Sequence, residues 1–123
     1  MTKKIKRLPE AELEIMMCLW DASESVQRSY FSQQFDWADS TILTLLSRLV
    51  NRGFVTCTKK GNKNIYTPAI TREEYMKVEN TNFLQKLHKG SLKHFVASLA
   101  DADNLTNDDI DELENLLKEL REK

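Results

Sequence analysis

The 123 residues carry 18 Lys/Arg against 19 Asp/Glu, with 41% hydrophobic and 30% charged content, ordinary values for a globular chain. That length holds one full domain and a small extension. No apolar run approaches the roughly 20 residues of a bilayer span, and the Lys-rich start lacks the apolar segment of a secretory signal, which argues against membrane insertion and export. Cys18 and Cys57 stand 39 positions apart without metal or redox spacing, and both lie in apolar patterns. They are expected to be buried free thiols of a cytoplasmic protein.

Lys3, Lys4, Lys6 and Arg7 form a basic arm, expected to be a solubilising terminus ahead of any DNA contact. Pro9 is expected to open a helix, with Glu10 and Glu12 favourable to its dipole and Leu13, Met16, Met17 and Trp20 forming its buried stripe. A turn at 21–24 leads to a second helix, with Ser25 as expected N-cap, Gln34 near its end, and Val26, Tyr30 and Phe31 facing inward. Phe35 to Ala38 turn into a third helix for which Asp36 and Asp39 are both candidate caps, with Trp37 pinning the corner.

The third helix carries the chemistry. Ile42, Leu45, Leu46, Leu49 and Val50 recur at helical spacing and predict one buried face. The opposite face shows Ser40, Thr44, Ser47 and Asn51, flanked by Thr41 and Arg48. Hydroxyls, an amide and a guanidinium on an apolar-backed helix suit a DNA major groove, where they meet base edges and phosphates. Gly53 is expected to end the helix in the left-handed region. The β-rich runs 54–58 and 65–67 then predict a hairpin whose 59–64 tip carries Lys59, Lys60 and Lys63. Recognition helix plus basic hairpin is the winged-helix arrangement. The plainer alternative is an amphipathic surface helix followed by an ordinary hairpin.

After Pro68 the pattern is helical. Thr71 with Glu74 forms a capping box, and a helix from Arg72 to about Lys89 includes Tyr75, Val78, Phe83, Leu84 and Leu87. Past Gly90, Leu92, Phe95, Val96 and Leu99 form a second amphipathic set. An acidic loop is expected at 100–104, followed by a last helix capped by Thr106 or Asn107 and striped by Ile110, Leu113, Leu117 and Leu120. Charge divides the same way: residues 1–72 hold eleven Lys/Arg and seven Asp/Glu, a net of +4, and residues 73–123 hold seven and twelve, a net of −5. The basic front half is expected to face phosphates and the acidic rear to stay in solvent or meet a partner. The expected organisation is mostly α with a small β-hairpin wing: a winged helix-turn-helix domain at 1–70 and a helical dimerisation region at 71–123. Its seam is expected to use Tyr75, Phe83, Leu87, Phe95, Leu99, Ile110, Leu113, Leu117 and Leu120, since these helices have no core of their own.

No nucleophile motif, phosphate-cradling loop or paired-carboxylate signature appears, so neither an enzyme nor a cofactor is expected. His88 and His94, six apart, do not share a helical face and make a poor metal pair. The rival function of a different class is a helical protein-interaction adaptor whose wing contacts protein.

Two stretches carry a family resemblance. Pro9-x-x-Glu12-Leu13-Glu14-Ile15-Met16-x-x-Leu19-Trp20 resembles the first helix of the BlaI/MecI/CopY (penicillinase repressor) family, A-E-W-E-V-M…-W. The eighteen residues Trp37 to Phe54 are similar to the family's W-S-x-x-T-[IV]-[KR]-T-L-[LI]-x-R-L-x-x-[KR]-G, and the likeness continues through Lys60 to Tyr66 and into a helical tail. The resemblance implies a homodimeric winged-helix repressor on an inverted-repeat operator, in β-lactam resistance or copper homeostasis, with Thr41, Thr44 and Arg48 at recognition positions. Leu43 replaces the motif's Lys or Arg, a departure that alters operator preference or weakens affinity and leaves Leu43 to meet a thymine methyl; Ala38 replaces its Ser cap. In the β-lactam branch a membrane sensor-protease pathway leads to cleavage at an Asn-Phe bond; Ser98-Leu99 stands there in this chain. The copper branch ends in a C-x-C…C-x-C tail, whereas this sequence ends Leu120-Arg121-Glu122-Lys123.

Overall fold

A computed structural model describes residues 5–22 and 24–123. Among the described residues, six helices and three strands follow one another: α1 (Glu10–Asp21), β1 (Val26–Gln27), α2 (Arg28–Gln34), α3 (Asp39–Asn51), β2 (Val55–Lys60), β3 (Lys63–Pro68), α4 (Arg72–His88), α5 (Leu92–Asp101) and α6 (Asn107–Arg121). The chain divides into two compact units, one ending at Glu79 and one running from Asn80 to Lys123.

The first unit is a winged helix. Its core joins Ile15, Met16 and Leu19 of α1, Phe31 of α2, and Ile42, Leu45, Leu46 and Leu49 of α3 to Phe54, Val55, Tyr66, Ile70 and Tyr75. Each such side chain contributes about 1.5–3 kcal/mol through burial. The α1 stripe sits one residue earlier than the spacing predicts. Ile15 and Leu19 are fully buried, Leu13 and Trp20 only partly, and Met17 is 51% exposed. Trp20 takes the rim because its indole N–H donates to the Ile70 carbonyl at 2.8 Å, a bond that needs an edge position.

Ser25 does not cap α2. Val26 and Gln27 form a short strand that pairs antiparallel with β3 (Val26 with Tyr66, Gln27 with Ile65), giving a sheet ordered β1-β3-β2. Ser25 instead bonds through its hydroxyl to Thr67 at 2.8 Å. Neither Asp36 nor Asp39 caps α3: Ala38 is the N-cap and no side chain supplies the bond. The corner is held by Phe35 and Trp37, stacked at 4.4 Å with planes 10° apart.

The exit from α3 is a Schellman motif. Phe54 N–H donates to the Leu49 carbonyl at 2.9 Å and Gly53 N–H to Val50 at 3.1 Å. Gly53 has φ 82, where a side chain is strained. The hairpin is tighter than expected: β2 and β3 pair as far as Lys60 with Lys63, leaving only Gly61 and Asn62 in the turn. Gly61, at φ 67, occupies the position where a type II′ turn calls for glycine. Because the wing projects beyond the core, β2 is buried only at Val55, and Cys57, expected inside, is exposed.

Tyr75 belongs to this unit's core rather than to a dimer seam. It is 2% exposed, packs against Trp20 and Phe54, and its hydroxyl accepts from Leu8 N–H at 2.8 Å. The first two turns of α4 are therefore tied to the winged helix, and their capping box forms in both directions between Thr71 and Glu74.

In the second unit, Thr106 and Asp109 form a reciprocal capping box at the start of α6, and α5 extends to Asp101, shortening the expected acidic loop. The rings of Phe83, His88 and Phe95 cluster at 5.2–5.4 Å. His88 and His94 do meet, their Nδ1 atoms 2.7 Å apart. Helical spacing does not govern them, because α4 ends at His88 and the chain turns through Lys89 and Gly90 in the left-handed region. No residue of α5 or α6 is fully buried.

Candidate nucleic-acid interface

The predicted polar face of α3 is exposed in full. Ser40, Thr41, Leu43, Thr44, Ser47, Arg48 and Asn51 face solvent, while Ile42, Leu46 and Leu49 are inaccessible and Leu45 nearly so. An apolar back under a polar front fixes the helix's rotation, since turning it would expose leucines and bury hydroxyls without partners. The Thr44 hydroxyl donates to the Ser40 carbonyl at 2.9 Å. Its proton is thus committed along the helix, and what it offers outward is an acceptor, suited to an amino group of adenine or cytosine.

Both ends of α3 are tied by charge. At its start, Asp39 accepts from the Ser32 hydroxyl at 2.8 Å and lies 2.9 Å from Arg28 Nη1. The Ser32 hydrogen bond and the Arg28 guanidinium hold its carboxyl below the usual range. The pairing offsets the negative charge at the start of α3. At the other end, Arg52 Nε lies 3.0 Å from Oε1 of Glu12 on α1. Glu12 is only 1% exposed, and the approach is too bent for a hydrogen bond, so charge holds the pair.

Lys59, Lys60 and Lys63 are all exposed on the wing. Lys60 and Lys63 are cross-strand partners, whereas Lys59 pairs with Asn64 and points to the opposite face. Like charges across a ladder oppose folding by roughly 0.2–1 kcal/mol, a cost an intervening anion removes. Between wing and recognition helix lies a concavity lined by Gln27, Arg28, Leu43, Lys63, Asn64 and Tyr66, among others. Sequence reasoning reaches Leu43 and Lys63 but not Arg28, which joins the site only through the pairing of β1 with β3. No periodicity announces a two-residue strand.

Of the basic arm, Lys6 is exposed. Lys3 and Lys4 lie outside the described residues, and Arg7 is committed to Glu79 at 2.9 Å. Among the described residues no group of three or more His, Cys, Asp or Glu side chains is placed to hold a metal ion, and no helix is long and apolar enough to cross a membrane. Of the expected seam residues, Phe83, Leu87, Ile110, Leu113, Leu117 and Leu120 are exposed at 38–66%, while Phe95 and Leu99 are half-buried.

A sequence profile of the family described as "Penicillinase repressor" matches residues 8–119. The chain is 32% identical over 120 residues to the penicillinase repressor of Bacillus licheniformis, covering 95% of this chain and 94% of that one. It is 31% identical over 121 residues to the methicillin resistance regulatory protein MecI of Staphylococcus aureus (strain N315), covering 95% and 98%. Among solved structures, the DNA binding domain of the repressor BlaI aligns with a TM-score of 0.51 at 35% identity, covering 60% of this chain and 94% of that one.

Proposed function

The chain belongs to the penicillinase repressor family, and from that premise we propose that it is a transcriptional repressor of β-lactam resistance genes that binds an inverted-repeat operator as a homodimer. The family is one of DNA-binding repressors, not of enzymes. The observation that carries the reading is α3 itself: eight exposed side chains, seven of them polar, on a helix whose other face is sealed in the core and whose ends are pinned by Arg28 and Glu12. The helix enters the major groove, where Ser40, Thr41, Thr44, Ser47 and Arg48 meet base edges and flanking phosphates. Lys59, Lys60 and Lys63 hold the backbone beside it.

The dimer rests on the second unit. Ile110, Leu113, Leu116, Leu117 and Leu120 stay 39–55% exposed along one 15-residue helix. A second copy of the chain buries that stripe and supplies the two-fold symmetry an inverted repeat needs. The protein acts in the cytoplasm, where its DNA is. Induction passes through an upstream sensor or protease pathway; Ser98 and Leu99 lie inside α5, so cleavage there requires that helix to open.

Selection of bound sequences from random duplexes tests the proposal, followed by titration at two salt concentrations. A repressor recovers a palindrome with half-sites about 10 base pairs apart or a multiple of that, and loses affinity steeply with salt. Recovery of no preferred sequence, with salt-independent binding, identifies a protein-interaction adaptor instead.

A further inference from the structure

We propose that Leu43 is a specificity-determining residue that reads the 5-methyl group of one thymine in each operator half-site. The inference rests on the DNA-binding reading above and deepens it. Leu43 is the fifth residue of α3, within the N-terminal portion a recognition helix presents to base edges. At 100° per residue it lies between Ser47, 40° away, and the half-buried Val50, 20° away, on the flank opposite Thr41 and Arg48, where the polar face meets the core. It is 43% exposed, the one large apolar side chain on the solvent side of this helix.

Its surroundings say what covers it. Leu43 lines the concavity between α3 and the wing together with Tyr66, and Arg28 and Lys63 line the same concavity. Asn62 and Asn64 of the wing, Gln27 of β1 and Ser29 of α2 add polar lining. An apolar side chain sharing a concavity with two cations fits a base edge that is apolar and is flanked by phosphates. In the major groove the thymine C5-methyl is the only apolar group that any base pair displays. Cytosine at that position presents an amino group instead, and a purine presents acceptors that leucine leaves unpaired. The side chain thus selects by contact with one methyl and by withholding partners from the alternatives.

Deoxyuridine tests this cleanly, because it pairs as thymidine does and lacks only the methyl. The full chain is titrated against its selected duplex and against duplexes in which each thymine is replaced singly by deoxyuridine. At one position per half-site, affinity falls about fourfold, the worth of one buried methyl. In Leu43→Ala, which removes an exposed side chain and leaves the core intact, the same replacement has no effect. Leu43→Lys shifts selection at that position from thymine to guanine. Uniform tolerance of deoxyuridine overturns the proposal while leaving the repressor reading in place, and so does a penalty undiminished in Leu43→Ala. Failure to bind any duplex sinks both together.

Discussion

The Glu12–Arg52 pair joins the first helix to the end of the recognition helix, and its two halves are unequal. Glu12 is 1% exposed, whereas the Arg52 side chain keeps 42% of its surface in water. Arg52→Ala leaves a carboxylate in the core with no counter-charge, a defect that costs about 3–5 kcal/mol. Glu12→Gln leaves a guanidinium that turns into solvent, so its cost falls to about 1–2 kcal/mol, the scale of one lost charged contact. Glu12→Met, which fills the same space without a charge, is neutral or stabilising. Trp20 and Trp37, the only tryptophans, both lie in the first unit, so urea unfolding followed by their fluorescence at fixed protein concentration reports on that unit. The expected order of midpoints is Glu12→Met at or above the parent, then Glu12→Gln, then Arg52→Ala. Arg52→Ala proving as stable as Glu12→Gln would refute the argument that burial, not pairing, sets the cost.

Lys60→Ala weakens binding to all duplexes alike and flattens the slope of log affinity against log salt by about one unit; an unchanged slope removes the wing tip from the interface. Thr44→Ala relaxes selection at one base pair and costs about 1–3 kcal/mol of operator affinity, and identical selection profiles for parent and variant would show that Thr44 reads nothing. Leu117→Asp places a charge in the exposed stripe of α6 and yields monomers in sedimentation, a persistent dimer placing the seam elsewhere. Asp39 is held below its usual value of 3.8 by Ser32 and Arg28. A depressed carboxyl stabilises the fold above its unfolded pKa and ceases to do so as pH falls through the lower folded value. Asp39→Asn therefore lowers the melting temperature at pH 7 and converges with the parent in strong acid; an equal deficit at both pH values would exclude the ion pair as the cause.

Much of this protein is written locally. The α3 face was legible because apolar spacing over nine residues specifies which side is buried, and whatever remains must be the working surface. Gly53 and the Thr71–Glu74 and Thr106–Asp109 boxes are local too, since each satisfies backbone groups within a few residues. Tertiary structure decided what depends on distant partners. β1 exists only because Val26 and Gln27 find Tyr66 and Ile65 some forty residues later, and that pairing carries Arg28 to Asp39 and to the edge of Leu43. The α1 stripe turned on a single indole bond, and Tyr75 went to the winged-helix core because Leu8 offers its hydroxyl a donor. Glu12, charged and in a first turn, reads from sequence as a solvent-facing dipole partner. Only the arrival of Arg52 forty residues on makes its burial affordable, because periodicity records which faces are apolar but not which opposite charges the fold will bring together.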